Sequence, residues 1–136
     1  TTTTTTFSNT PITLVTVEDD IWTASVGLFD GNSLPDLVYT TRSGVWICLQ
    51  MGTCNLAIDG TTLDTTVTVV GHTQLYVNND ARPDLLVHYT NPFRKFAYVL
   101  NNGAGVFSAA PQLMYSGNIA RDTFDRSSGH HVAVGD

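Results

Sequence analysis

The chain is poor in charged residues, and basic residues are the scarcer kind. Only 13% of its 136 residues are Asp, Glu, Lys or Arg, whereas roughly a quarter is usual in soluble domains. Twelve acidic residues outnumber six basic ones, which gives a net charge of −6 at neutral pH. Such a chain is repelled by phosphate backbones and by anionic lipid surfaces. We therefore expect no nucleic-acid partner and no binding to an anionic membrane.

Long apolar runs and catalytic motifs are absent from the sequence as well. No stretch approaches the roughly 18 apolar residues that span a bilayer, so we expect no membrane insertion. There is no G-x-S-x-G elbow for a serine nucleophile, and no H-x-H or H-E-x-x-H spacing for a metal. We interpret the histidines as ordinary surface or loop residues: His72, His88, His130 and His131. The sequence thus predicts a protein that is not an enzyme.

Cysteine occurs only twice. Cys48 and Cys54 lie on either side of Gly52, and a hairpin turn between them would bring the two thiols together. In an oxidising compartment we expect a disulfide, and the alternative is a pair of free, buried thiols. No cluster of His and Cys lies nearby in sequence, so the pair makes a poor zinc site.

The first ten residues have their own composition. The chain opens with six threonines, Thr1–Thr6, and such a tract is typical of a flexible or O-glycosylated linker. We interpret residues 1–10 as a linker or an added edge strand, and the abrupt start as that of a fragment. No N-x-[ST] sequon occurs, so N-glycosylation is not predicted.

One ten-residue pattern occurs twice in this chain, 48 positions apart. Residues 28–37 have the sequence LFDGNSLPDL, and residues 76–85 have the sequence YVNNDARPDL. Both carry Asp or Asn at the third and fifth places, and both end in Pro-Asp-Leu before a stretch rich in strand-forming residues. Turn residues recurring at a fixed period indicate a repeat architecture, in which one unit cannot bury its apolar face alone.

Thr, β-branched and aromatic residues favour strands throughout the chain. Short strands with a turn every 8–12 residues predict an all-β fold of β-propeller blades, each with four antiparallel strands. We predict strands at 12–17, 22–26, 37–40, 45–49, 56–58, 67–70, 73–77, 85–89, 96–100 and 112–115. Residues 11–72 would form a first blade, 73–129 a second, and 130–136 the first strand of a further blade.

The two loops resemble the FG-GAP or VCBS repeat found in integrin α-subunit propellers, some fungal lectins and many secreted bacterial proteins. The loop of that family is roughly D-F-N-G-D-G-x-P-D-L, and a later turn is N-x-G-x-G-x-F. The matching residues are Phe29-Asp30-Gly31, Pro35-Asp36-Leu37, Asn78, Asp80, Pro83-Asp84-Leu85 and the turn at 102–107. The resemblance implies propeller blades and identifies architecture better than function.

The resemblance also implies Ca²⁺ in each loop, because a hard cation takes six to eight oxygen ligands. The first site would use Asp30, Asn32, Asp36 and the carbonyl of Leu34, and the second would use Asn78, Asp80, Asp84 and the carbonyl of Arg82. Place 1 of the loop holds Leu28 and Tyr76 instead of a carboxylate, which should weaken binding. The alternative is a metal-free turn in which Asx side chains bond to backbone amides.

Aromatic side chains are the candidates for a ligand platform, because the C–H face of a sugar ring is apolar. Phe93, in the turn 91–95, is the best exposed candidate, and Arg94 and Lys95 beside it form the densest positive spot. Trp46 and Tyr98 lie within predicted strands and are expected to pack between blades. The polar residues 116–129 are a second possible contact loop.

These observations favour an extracellular, secreted or cell-surface binding module without enzymatic activity. It would recognise a glycan or a protein through loops on one propeller face. The alternative is a structural subunit of a secreted or cell-surface assembly or filament, built by pairing of strands or edges. Two blades do not close a propeller, which has about 4–8. We therefore expect self-association or the remainder of a longer propeller chain.

Overall fold

The structure is a computed structural model that describes residues 10, 11, 13, 15–17, 19–63, 68–90, 94–108 and 111–116. This part of the chain is all-β, with eight strands in two antiparallel four-stranded sheets. The prediction of an all-β fold is confirmed. The Thr1–Thr6 tract, Phe93, most of the 116–129 loop and the predicted strand 130–136 lie outside the described residues.

The first sheet has its strands in chain order, β1-β2-β3-β4. The strands are β1 (Thr23–Gly27), β2 (Asp36–Thr41), β3 (Gly44–Cys48) and β4 (Cys54–Asp59). One turn of 3₁₀ helix, Leu49–Met51, joins β3 to β4, and a single helical turn, α1 (Gly60–Leu63), follows β4. No helix among the described residues is long and apolar enough to cross a membrane.

The second sheet repeats this order as β5-β6-β7-β8. Its strands are β5 (Thr68–Leu75), β6 (Asp84–Thr90), β7 (Arg94–Val99) and β8 (Gln112–Ser116). An isolated bridge between Asn101 and Phe107 closes the glycine-containing turn after β7.

Strand β2 explains how the two sheets meet. All six of its residues are buried, and alternate side chains point to opposite faces. Val38 contributes to the core between the sheets, whereas Leu37 and Tyr39 contribute to a cluster on the other face. We call that other side the outer face of the first sheet.

The core between the sheets is apolar and draws equally on both of them. β5 contacts β1, β2 and β3, so the second sheet packs across the first. The first sheet supplies Phe29, Val38, Val45, Ile47 and Ile58, and the second supplies Val69, Leu85, Val87, Val99 and Phe107. Full burial of one such side chain contributes about 1.5–3 kcal/mol, so this interface is the main source of stability.

Two details of the predicted strands are wrong. Among residues 12–17, the described ones (13 and 15–17) are not in a strand. The segments 67–70 and 73–77 are predicted as strands of different units, but one strand, β5 (Thr68–Leu75), overlaps both. Gly71 and His72 interrupt the apolar alternation, and a register shift between Val69 and Gly71 lets the strand continue through them. The predicted boundary between residues 72 and 73 therefore falls inside β5.

Candidate functional site

Hydrogen bonds to Asp36 link the first repeat loop to the turn that follows β3. Asp36 is the first residue of β2 and is 0% exposed. Its Oδ2 accepts hydrogen bonds from the backbone N–H groups of Phe29 (2.7 Å) and Asp30 (3.2 Å). Its Oδ1 accepts one from the backbone N–H of Gln50 at 2.7 Å. A buried carboxylate is tolerated only when its oxygens are bonded, and here backbone amides fill that role.

Asp84 takes the same place in the second sheet. It is also 0% exposed and begins β6. Its Oδ2 accepts from the N–H of Val77, and its Oδ1 from the N–H of Asn101, both at 2.8 Å. Hydrogen bonds to charged groups contribute about 1.5–3 kcal/mol each, so both aspartates hold their loops in place.

The other predicted ligands of the first loop bond to one another. Asp30 Oδ1 accepts from the backbone N–H of Asn32 at 3.0 Å, and Asn32 Oδ1 accepts from that of Leu34 at 2.7 Å. Gly31 supports this turn with a φ of 80°, in the left-handed region that glycine adopts readily. The arrangement is that of an Asx turn.

The second loop keeps one of these bonds, the one that joins Asn32 to Leu34 in the first loop and Asp80 to Arg82 here. Asp80 Oδ1 accepts from the N–H of Arg82 at 3.0 Å, and the Asn78 amide donates to Asp80 Oδ2 at 2.9 Å. Arg82 Nη1 lies 3.9 Å from Asp80 Oδ2, an exposed ion pair of small energetic value. Asn79 and Ala81 have positive φ values of 58° and 63°, so the backbone turns without glycine.

The donor set does not complete a calcium shell as the loops are folded. The oxygens of Asp36 and Asp84 accept backbone amides, and Leu28 (48% exposed) and Tyr76 (64% exposed) stand where a further carboxylate would be. No three His, Cys, Asp or Glu side chains of the described residues come together as metal ligands. Calcium binding therefore stays a prediction of the resemblance.

The predicted ligand turn is only partly described. Arg94 begins β7, and Lys95 is half-buried on that strand, opposite Tyr89 on one side and Ser116 on the other. Phe93 lies outside the described residues. A site around this turn stays a prediction.

A different candidate lies on the outer face of the first sheet. A cavity of about 540 Å³ opens between Tyr39 and Trp46 on the sheet and residues 15–17 and 19 of the chain. Small-molecule sites span about 300–1,000 Å³, so this space is large enough for a ligand. We call it the outer-face cavity.

Two aromatic rings form the floor of the outer-face cavity. Tyr39 and Trp46 are opposite neighbours on β2 and β3, with ring centroids 6.2 Å apart and planes within 1° of parallel. The Trp46 indole N–H donates to Thr41 Oγ1 at 3.1 Å, which fixes the orientation of the ring. Burial raises the pKa of the Tyr39 phenol, so this ring stays neutral at physiological pH.

The rim of the outer-face cavity is polar, and a disulfide forms part of its wall. Thr16, Ser43 and Thr53 are exposed and bring hydroxyl groups to the opening, and Asp19 brings a carboxylate. Cys54 belongs to the lining and is joined to Cys48, with an S–S distance of 2.06 Å. This is the pair that the sequence suggested.

A second polar site lies between the two sheets and is built around His72. This side chain is 6% exposed. Its Nδ1 lies 2.7 Å from Thr40 Oγ1 and 3.0 Å from Thr23 Oγ1, and its Nε2 lies 2.7 Å from Ser25 Oγ. Burial, and then the nearby His88, lower the pKa of His72 to about 4. Neutral His72 thus ties β5 to the first sheet.

The interpretation of the histidines as surface or loop residues is wrong for His72 and His88, which are both buried on strands. No sequence signal could have placed His72 against three hydroxyls, because its partners lie 32 to 49 positions away in another sheet. The Tyr39–Trp46 pair was accessible to sequence reasoning. The predicted strands 37–40 and 45–49 flank a short turn, and a tight hairpin places these two residues opposite each other.

The chain has no match among protein-family models, curated proteins or solved structures. Its likeness to the FG-GAP or VCBS repeat therefore rests on the two loops and the glycine-containing turn.

Proposed function

We propose that this chain is a non-enzymatic binding module whose ligand site is the outer-face cavity. The observation that carries the proposal is the parallel pair of Tyr39 and Trp46 on the floor of a cavity with a polar rim. Aromatic floors with a few polar groups at the edge are typical of small-ligand sites.

The second sheet provides the comparison that favours binding over packing. By strand register and position, Tyr39 and Trp46 correspond to Val87 and Ala97, which are likewise opposite neighbours. In the second sheet this face packs against the first sheet, where Val87 is 0% exposed. Small aliphatic side chains are thus sufficient where two sheets meet. The aromatic pair of the first sheet serves a different contact, which we assign to a ligand.

The same proposal includes an extracellular location and a propeller architecture. The Cys48–Cys54 disulfide supports an oxidising compartment. The common strand order of the two sheets and the matching roles of Asp36 and Asp84 support two consecutive blades of the FG-GAP or VCBS kind. Further blades, from a longer chain or from other copies, would add beyond the second sheet, because a blade packed on the outer face of the first sheet would close the proposed site.

The alternative is a structural subunit that assembles by stacking of sheets. The observation that favours it is the same correspondence of faces. The outer face of the first sheet (Leu37, Tyr39 and Cys48) corresponds to the face of the second sheet (Leu85, Val87 and Val99) that is covered by a neighbouring sheet. A sheet of another copy could cover the first in the same way, and repeated stacking would produce a filament.

Binding and assembly are separated by probing wild type and Trp46→Ala on a glycan array and a peptide array, with the particle mass measured by light scattering. The control is Tyr76→Ala, which removes an exposed aromatic ring from the second repeat loop. The proposal expects a discrete particle that binds one class of probe, with binding lost in Trp46→Ala and kept in Tyr76→Ala. Large polymers without bound probe would favour the structural alternative. Binding that survives in a folded Trp46→Ala chain would contradict the cavity as the site.

A further inference from the structure

Resting on the proposed function, we infer that the outer-face cavity takes an uncharged sugar ring stacked on Trp46, and that Asp19 discriminates against acidic sugars. Half-buried Trp46 presents its ring to the cavity, beside the parallel ring of Tyr39, which is only 3% exposed. Apolar surface of this kind fits the C–H face of a pyranose, while the edge of the sugar remains polar.

The platform is held in position before a ligand arrives. Thr41 Oγ1 accepts from the Trp46 indole N–H at 3.1 Å and from the backbone N–H of Ser43 at 3.3 Å, and it lies 2.9 Å from Ser43 Oγ. A hydroxyl has one donor and two acceptor sites, so Thr41 is fully engaged. Trp46 therefore needs no reordering on binding, which favours affinity.

The rim supplies groups that match sugar hydroxyls. Ser43, Thr53 and Thr16 are exposed and line the opening. A hydroxyl side chain both donates and accepts hydrogen bonds, as a sugar hydroxyl does. The floor thus selects an apolar ring face and the rim selects hydroxyl groups around it.

The charge of the cavity lining restricts the class of ligand further. Asp19 is the only charged side chain among the described residues that line the cavity, and the chain carries a net charge of −6. A sugar carboxylate or sulfate would meet the Asp19 carboxylate without a neighbouring Lys or Arg in that lining. Like charges held close together repel each other even at an exposed site, so a neutral hexose or N-acetylhexosamine fits better.

The position of the cavity argues against an extended peptide. Peptides that add to sheets pair with the free backbone groups of an edge strand. Tyr39 and Trp46 lie on β2 and β3, the two central strands, whose backbones pair with neighbours on both sides. The cavity therefore offers side chains and few backbone partners.

The test is a titration followed by tryptophan fluorescence, in a Trp22→Phe background so that only Trp46 emits. The probes are the neutral methyl glycosides of glucose and N-acetylglucosamine, the acidic methyl glucuronide, and a short uncharged aromatic peptide. We expect a saturable change with a neutral glycoside and a weaker affinity for the glucuronide. Asp19→Asn should raise the affinity for the glucuronide toward that for the neutral glycosides. Calorimetry should give about a tenfold loss of neutral-glycoside affinity in Trp46→Ala and partial retention in Trp46→Phe.

Circular dichroism and thermal unfolding establish that each variant is folded. If Trp46→Ala does not fold, Trp46→Phe and Asp19→Asn still decide the question. Binding of the peptide alone, lost in the Trp46 variants, would overturn the sugar inference and leave the proposed binding site standing. A glycoside that binds equally well with and without Trp46 would overturn both. Equal affinity for neutral and acidic glycosides in wild type would overturn the role of Asp19.

Discussion

The two sheets use matching aspartates to hold their loops in place, but they differ in the side chains that cover one face. Asp36 and Asp84 bind backbone amides in the same way in both sheets. Val87 and Ala97 pack between the sheets, whereas their counterparts Tyr39 and Trp46 line a cavity. The residues common to both sheets therefore explain the fold, and those that differ point to function.

The turns after the third strand of each sheet also differ in what they contact. In the second sheet Asn101 donates to the carbonyls of Phe29 and Pro83, and the Phe107 ring lies 6.0 Å from that of Phe29. This turn therefore packs against the first sheet. In the first sheet the turn at Leu49–Met51 is shorter and ends in the Cys48–Cys54 disulfide beside the cavity.

The largest effect is expected from the shared aspartates. Asp84→Asn replaces one carboxylate oxygen with an amide that cannot accept from Val77 or Asn101, so the free energy of unfolding should fall by about 2–4 kcal/mol. Asp36→Asn should lower it by a similar amount. Asp80→Asn, on an exposed loop, should change it by less than about 1 kcal/mol. Urea unfolding measures all three, and equal losses for Asp84 and Asp80 would contradict the shared role.

The disulfide distinguishes the first sheet from the second. Replacing Cys48 and Cys54 together by serine should lower the free energy of unfolding by about 2 kcal/mol, as expected for closure of a short loop. It should also weaken ligand binding, because Cys54 lines the cavity. Chemical denaturation and a binding titration of the double variant test both effects. Unchanged affinity would show that this wall does not contact the ligand.

The contact between the sheets should weaken in acid. The pKa of His72 is about 4 in the folded chain and near 6.5 when unfolded, so the unfolded state binds more protons between these values. The stabilisation that neutral His72 provides is thus fully present above pH 6.5. It is lost as the pH falls toward 4, and the free energy of unfolding is about 2 kcal/mol lower at pH 5. Urea unfolding from pH 7.5 to 5 measures this loss. His72→Gln should flatten that dependence, and an identical slope in the variant would refute the assignment.

Adding calcium should change the free energy of unfolding by less than the loss of these contacts does. The amides already bound to Asp36 and Asp84 stabilise the loops without a cation. We expect weak affinity, about 10⁻⁴–10⁻³ M as in extracellular calcium modules. Millimolar calcium should then raise the free energy of unfolding by about 1 kcal/mol. Thermal unfolding with calcium and with a chelator measures this, and a chelator that unfolds the chain would show that the cation is essential.

The smallest expected effect concerns the backbone of the second loop. Ala81 has a φ of 63°, a region that is strained for alanine and free for glycine. Ala81→Gly should stabilise the chain by about 0.5 kcal/mol after the entropy of glycine in the unfolded state is counted. Asn79→Gly should gain less, because asparagine tolerates this region. Thermal unfolding ranks the two variants, and a destabilising Ala81→Gly would contradict the argument.

Local features of this chain could be predicted from its sequence, and contacts between its sheets could not. The β-branched and aromatic residues between regularly spaced turns predict most of the strands, and the Asx residues of the loops bond to nearby amides as such turns do. The His72 contacts and the outer-face cavity depend on how distant segments meet, which no local pattern encodes. The sequence predicts that Trp46 packs between blades, and the structure places it against Tyr39 and beside a cavity that no strand pattern indicates.

The most direct test is to map a neutral methyl glycoside onto the isotope-labelled chain by amide and indole chemical shifts. The proposed site requires shifts at Tyr39, Trp46 and the adjacent rim, with the backbone around Val87 and Ala97 unchanged. Shifts confined to the loops at 28–37 and 76–85, or to the second sheet, would contradict the claim that the first sheet carries the ligand site.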